Sequence, residues 1–285
     1  MLLIFLLSAC TDARRLANSE QDDTTDTLVV GGREAYLKSA FYGLDDEIPS
    51  LASLFSCNGV GGGDGMPVVF SLEVALESLQ AGDFRVTLDD DSIGAIKCVT
   101  PAPASDQGEL RTILLLGDLG SIYNQPFEVE IVGNILSLDG RRNFLGSNVR
   151  VTRLKQGPEI IHADIVPEVQ WELGKQASIF PFGGGSGCPP STQQVIRVTW
   201  TGGITKFGGG EVDQTEQSAY RILVEGDDGQ LMRIEPFAMG DLGDGDNNHK
   251  LCLDTRSRPL GVEFPEGLVT DPREDFNPAT SIELP

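Results

Sequence analysis

The densest run of side chains able to do chemistry is 239–253, MGDLGDGDNNHKLCL. Asp241, Asp244, Asp246 and Asn248 place four hard oxygen donors within eight residues, the donor type that Ca²⁺ takes. Asp244, Asp246 and Asn248 fit the first three ligand positions of an EF-hand loop, but His249 stands where that loop needs Gly and Thr255 where it needs Glu. The candidate is therefore an irregular calcium site in a loop between strands, with Asp271, Asp275 or Asn277 of DPREDFNP as remote ligands. The structural alternative is an acidic turn that uses Asp, Asn and Gly for their backbone preferences.

Catalytic patterns elsewhere are incomplete. Residues 184–188, GGSGC, nearly spell the hydrolase elbow around Ser186, but Cys188 takes the last position and no strand-then-helix context surrounds it. A glycine loop anchored by a disulfide is the better reading. His162 and His249 are the only histidines, too few for a His-based metal triad. His162 lies among apolar neighbours in EIIHADIV and reads as structural. A hydrolase built on Asp244 or Asp246 with His249 has no accompanying Ser, Cys or Thr motif. Among so many carboxylates nothing singles out a glycosidase pair. LVVGG at 28–32 lacks the G-x-G-x-x-G spacing of a dinucleotide loop. No catalytic residue is assigned, and the expectation is a protein that is not an enzyme.

The chain has 285 residues, 21 basic and 43 acidic, for a net charge of −22. Such a field repels nucleic acid and anionic headgroups, so no nucleic-acid partner is expected. A 40% hydrophobic fraction is enough for packed cores, and 34 Gly with 16 Pro suit a fold rich in turns.

Residues 2–7 are apolar but too few to span a bilayer, which takes roughly 20, and they run into Leu7-Ser8-Ala9-Cys10. That ending resembles a bacterial lipobox. The resemblance implies a signal peptide over 1–9, diacylglycerol on Cys10, and a chain tied to the membrane through that residue. No Lys or Arg precedes the apolar run, which departs from the usual signal-peptide pattern. Residues 10–26 are polar, as a tether would be, and Thr11 rather than Asp after the Cys resembles lipoproteins sent to the outer membrane. Four cysteines remain: Cys57, Cys98, Cys188 and Cys252. In an oxidising compartment they allow two disulfides in three connectivities. Keeping each bridge inside one domain favours Cys57–Cys98 and Cys188–Cys252. No C-x-x-C pair is present to suggest zinc or thioredoxin chemistry.

The elements that must position these groups read as strands. Phe84, Val86 and Leu88 alternate with Arg85 and Thr87, and Phe127, Val129 and Ile131 alternate with Glu128 and Glu130. A period of two puts one face on a core and the other in water. Reversals at 89–91, 117–118 and 139–140 separate about seven strands in ~90 residues, the pattern of an antiparallel sandwich. Upstream, Ala35, Leu37, Ala40, Phe41 and Leu44 fall near helical spacing and predict a short amphipathic helix over 33–42, followed by a turn over 49–55. Beyond Gln156-Gly157-Pro158, strands resume near 159–166, 195–200, 220–224, 231–237, 249–253 and 260–264.

The series PVVFSLEV, DFRVTL, ELRTILLL and PFEVEIVGNILSLDG resembles S-layer-type bacterial Ig-like domains over about residues 66–153. Its closing turn, Asp139-Gly140-Arg141-Arg142-Asn143, matches that family imperfectly. The resemblance implies a sandwich with a spacer or binding role and brings no active site.

The expected fold is all-β: two β-sandwich-like domains, the first Ig-like, preceded by a short helical segment. The division is signal peptide 1–9, tether 10–26, helical segment 27–60, Ig-like sandwich 61–155 and second β domain 156–285. The expected role is a non-catalytic lipoprotein anchored to the outer membrane, structural, adhesive or binding, with an envelope protein or glycan as partner. The alternatives are a calcium-dependent carbohydrate-binding protein using 241–248, and a hydrolase of unrecognised type.

Overall fold

The computed structural model describes residues 35–49, 57, 59–177 and 184–285. The lipobox, Cys10, the tether and most of the turn expected at 49–55 lie outside these. The described chain is nearly all β and divides into two compact units, Met1–Ala102 with Gly108–Leu154, and Pro103–Gln107 with Lys155–Pro285. Among the described residues no helix is long and apolar enough to cross a membrane.

The first unit holds β1 (Leu37–Phe41), β2 (Asp64–Phe70), β3 (Phe84–Leu88), β4 (Ala95–Thr100), β5 (Thr112–Asp118), β6 (Pro126–Ile131) and β7 (Asn148–Thr152). They pair in the order β3-β6-β7-β1-β2-β5-β4. The two halves of this sheet join through a short parallel contact between β1 and β7, with Ala40 opposite Val151. A bridge from Thr87 to Ile93 brings the far edges together, so the sheet nearly closes on itself. Inward residues of both halves, among them Val68, Phe70, Val86, Ile113, Leu115, Val129 and Val151, form one core. Phe70 meets Phe84 and Phe144 edge-on in it. Cys57–Cys98 lies in a satellite cluster with Ile48, Val60 and Leu116.

The helix predicted over 33–42 is corrected here: LKSAF is strand β1, antiparallel to β2 and parallel to β7. Leu37 and Ala40 reach the core either way, so the apolar spacing of five residues suits both periods. Pairing on two sides then overrides a modest helical propensity.

The second unit contains β8 (Ile160–Ile165), β9 (Gln194–Trp200), β10 (Arg221–Glu225), β11 (Leu231–Ile234), β12 (Ala238–Gly240), β13 (Asn248–Leu253), β14 (Arg258–Phe264) and β15 (Thr280–Glu283). They make two four-stranded sheets, β11-β10-β14-β15 and β12-β13-β9-β8. Ile196, Val198, Trp200, Leu251 and Leu253 of one sheet share a core with Ile222, Val224, Val262 and Phe264 of the other, the packing of a β-sandwich.

Candidate functional site

β12 and β13 are joined by the acidic loop that the sequence singled out. Register places Gly240 opposite Lys250 and Ala238 opposite Cys252. All six residues of β13 are buried, which a two-layer sandwich with one wet face would not produce. One face, with Leu251 and Leu253, enters the core. On the other, Cys252 joins Val166, Cys188, Val195 and Trp171 in a separate cluster. The Cys188–Cys252 disulfide ties the connection between β8 and β9 across that outer face. Lys250, which would otherwise point into water, is covered.

Lys250 is 1% exposed and meets its partners there: Nζ lies 3.1 Å from Asp241 Oδ1, whose side chain is 0% exposed, and 3.3 Å from Glu172 Oε2. Glu172 passes the contact on, since Lys175 Nζ is 2.8 Å from its Oε1 and 3.5 Å from Asp106 Oδ2. Carboxylate oxygens of Asp106 and Asp241 come within 4.8 Å of each other. Acid and ammonium thus alternate around a ring, from Asp241 through Lys250, Glu172 and Lys175 to Asp106. Burial pushes the Glu172 carboxyl up, but Lys175 and Lys250 outweigh it and hold the group below its ordinary value. Burial works against the Lys175 ammonium, and Glu172 and Asp106 reverse that.

Gly184, Gly185 and Gly187 fit against this ring because they have no side chains. A Cβ on Gly184 would stand 2.6 Å from both Lys175 Nζ and Asp106 Oδ2, and one on Gly187 only 1.7 Å from the Glu172 carbonyl oxygen. The same segment binds the acidic loop by backbone, with Asp241 N–H donating to Ser186 O (2.6 Å) and Ser186 N–H to Leu242 O (3.0 Å). Ser186 Oγ accepts from Leu242 N–H at 3.4 Å. These contacts make Ser186 a clasp on the acidic loop.

Within the loop the four expected ligands part company. Asp241 has a left-handed backbone, φ 64°, and leads the chain out of β12 toward Lys250. Asp246 spends both oxygens on Asn248, accepting from its N–H at 2.7 Å and its Nδ2 at 2.9 Å. Asn248 Oδ1 accepts from Thr199 Oγ1 at 2.8 Å. Asp244 lies half-buried at the rim, and burial together with Asp241 pushes its carboxyl up to about 6. Burial, then Asp244, raises Asp246 well above its ordinary value. Asp271 and Asn277 fasten a turn of their own: Asp271 Oδ1 accepts from the Arg273 and Asp275 N–H groups, and Asn277 Oδ1 from those of Leu268 and Val269.

His249 points the other way, into the sandwich. Trp200 Nε1 donates to the Tyr220 hydroxyl at 3.0 Å, and that hydroxyl is 3.0 Å from His249 Nδ1. Indole can only donate, so a relay in which Tyr220 donates onward to the neutral imidazole satisfies all three groups. Burial pushes the His249 pKa down to about 4. His249 and the loop carboxylates therefore lie on opposite faces of β13. His162 Nε2 is 3.3 Å from Asp164 Oδ1 on the edge strand β8.

No family model and no curated sequence matches this chain. Among solved structures it is similar to the N-terminal part of the bacterial S-layer protein SbsC, with 10% identity and a TM-score of 0.29, over 88% of this chain and 44% of that one. The S-layer protein rSbsC gives 12% identity and a TM-score of 0.29, over 82% and 42%. The chain thus spans less than half the length of either. The strand pairings and cores above, not this likeness, define the fold.

The distant members of the ring had no signal in the sequence. Asp106, Glu172 and Lys175 come from segments far from the loop and meet it only through the fold. In the first unit the carboxylates of Asp45, Asp46 and Asp64 also gather within 4.8 Å. Asp64 accepts from the backbone of Asp46, Leu119 and Gly120, and Asp45 from Ile122 N–H and the Tyr42 hydroxyl. These acids tie loops together.

Proposed function

We propose that this chain is an exported β-sandwich protein, anchored at the cell envelope through Cys10, with a structural or binding role and no catalysis of its own. The observation that carries the reading is that each unit has its own buried disulfide, Cys57–Cys98 and Cys188–Cys252. Such bonds persist where glutathione does not reduce them, outside the cytoplasm. The lipobox-like LSAC supplies the anchor. The groups most able to do chemistry serve as internal cross-links in this reading: Lys250 between Asp241 and Glu172, and His249 in the Trp200–Tyr220 relay.

Metabolic palmitate labelling and cell fractionation test the anchor. Wild-type protein is expected to take up label and sediment with membranes, and Cys10→Ser to lose both. Alkylation of intact cells with a maleimide tests the compartment. Cys57, Cys98, Cys188 and Cys252 should react only after reduction. Free thiols at these four positions in unreduced cells would defeat the proposal.

A further inference from the structure

Buried carboxylates in this protein are held by donors of different kinds. Asp64 accepts from three backbone N–H groups, and Asp246 from Asn248. Asp241 meets an amine: Lys250 Nζ lies 3.1 Å from Oδ1, and both side chains are out of water. Among the described residues Asp241 Oδ2 accepts no hydrogen bond. In so dry a site neither charge is solvated, and passing one proton turns the pair into a neutral amine beside a neutral acid.

An amine touching a carboxylic acid is the reactant state of an amide bond. Exposed pairs stay ionised and hydrated and do not condense. Lys175 and Glu172, 2.8 Å apart with about a third of each side chain in water, are such a pair. The buried pair also has a base beside it, since Glu172 Oε2 is 3.3 Å from Lys250 Nζ and is held ionised by its lysines. Backbone geometry sets the contact. Gly240 pairs with Lys250, and the left-handed turn at Asp241 follows directly. Arg197, opposite Lys250 on β9, is equally buried. A guanidinium there keeps its proton, whereas an amine at 250 can lose one and become a nucleophile. Asp241, Lys250 and Glu172 all belong to the second unit.

We propose that Lys250 and Asp241 condense into an intramolecular amide, with Glu172 as the general base. The Lys250 ammonium gives a proton to Asp241 across their contact. The lone pair on Nζ then attacks Cγ, and Glu172 takes a second proton from the nitrogen. Glu172 returns that proton to the departing oxygen, the Cγ–O bond breaks, and water leaves. One carboxylate and one ammonium become one amide and one water, with no oxidant and no activated donor. Fixed contact replaces the encounter that makes this reaction slow between free molecules. Each chain reacts once with itself, so there is no turnover. The bond closes 241–250 into a covalent loop and makes the clasp on the acidic loop permanent.

The test is peptide mapping of the full folded chain, reduced, alkylated and cut with trypsin. Trypsin does not cut after an acylated lysine. The wild type is therefore expected to yield 234–256 short by the mass of one water, without backbone fragments from within 241–249. Lys250→Arg should show no such loss. Glu172→Gln, refolded from inclusion bodies and mapped over time, should form the bond at least about 100-fold more slowly than wild type. If Lys250→Arg fails to fold, Glu172→Gln decides. Cutting after Lys250 at full mass in the folded wild type overturns the proposal. So does a water lost at Asp244-Gly245, where a succinimide forms, with Lys250 still cut. A bond formed at the wild-type rate in Glu172→Gln overturns the role of Glu172.

Discussion

Lys250 Nζ and Asp241 Oδ1 stand 3.1 Å apart with both side chains out of water, on the face of β13 opposite the sandwich core. Removing one partner of such a pair strands the other charge, at a cost of about 3–5 kcal/mol, whereas removing both can be close to neutral. Lys250→Met is therefore expected to lower stability by about that amount in urea denaturation, against wild type still carrying the ion pair. Adding Asp241→Asn should recover about half or more, because Asn also tolerates the left-handed backbone at φ 64°. A double variant as unstable as Lys250→Met alone would mean that the pair is not the unit of the interaction.

The cover over Lys250 is held by Cys188–Cys252, which closes a separation of 64 residues, and Cys57–Cys98 closes one of 41. On the chain-entropy model each stabilises by about 4 kcal/mol. Reduction should lower the urea midpoint sharply. The paired change Cys188→Ala with Cys252→Ala should also speed amide exchange at 184–188 more than in the first unit. Uniform exchange across both units would contradict the assignment of this bond to the cover.

Two buried groups give opposite pH dependences. The His249 pKa is depressed to about 4 from 6.5 by burial. The unfolded chain binds that proton first, so the contribution is complete above pH 6.5 and is lost as pH falls toward 4. Burial raises Asp271 from 3.8 to about 6. Here the native state binds the proton more tightly, and stability falls as pH rises from 3.8 through 6. Asp271→Asn, which mimics the neutral acid, should gain about 1–2 kcal/mol over wild type at pH 7.5 and nothing at pH 3.5. His249→Gln should flatten the rise between pH 4 and 6.5. Urea midpoints across that range check both signs.

Strands such as Phe84–Leu88 and Pro126–Ile131 were legible because each alternates apolar and polar residues over a single buried face. β1 was not, because LKSAF is too short for its period to be decided without the strands on either side. The disulfides were legible as a set, and the units select among the three pairings by enclosing one bridge each. Lys250 gave no warning, since HKLCL reads as a strand with a wet face and the loop that covers it is distant in sequence. Asp106 is more than a hundred positions from Asp241, and no local pattern joins them. The acidic loop drew attention for its oxygens, but Asp246 and Asn248 fold the loop while Asp241 and Asp244 face the ring.

Asp64 makes the case in the first unit that a buried carboxylate can be a fastener. Its Oδ1 accepts from Asp46 N–H at 2.9 Å, and its Oδ2 from Leu119 N–H at 2.6 Å and Gly120 N–H at 3.1 Å. Burial raises its pKa against those hydrogen bonds. All three partners are donors, so only a group with two acceptor oxygens suits the site. Asp64→Asn would turn an NH₂ toward one set of N–H groups, and is expected to cost about 2–4 kcal/mol, nearly as much as Asp64→Ala. Asp46→Asn, on the exposed residue of the trio, should change stability by less than about 0.5 kcal/mol. If Asp64→Asn were as mild as Asp46→Asn in urea denaturation, the three backbone donors would have other partners in solution and the fastener role would fall.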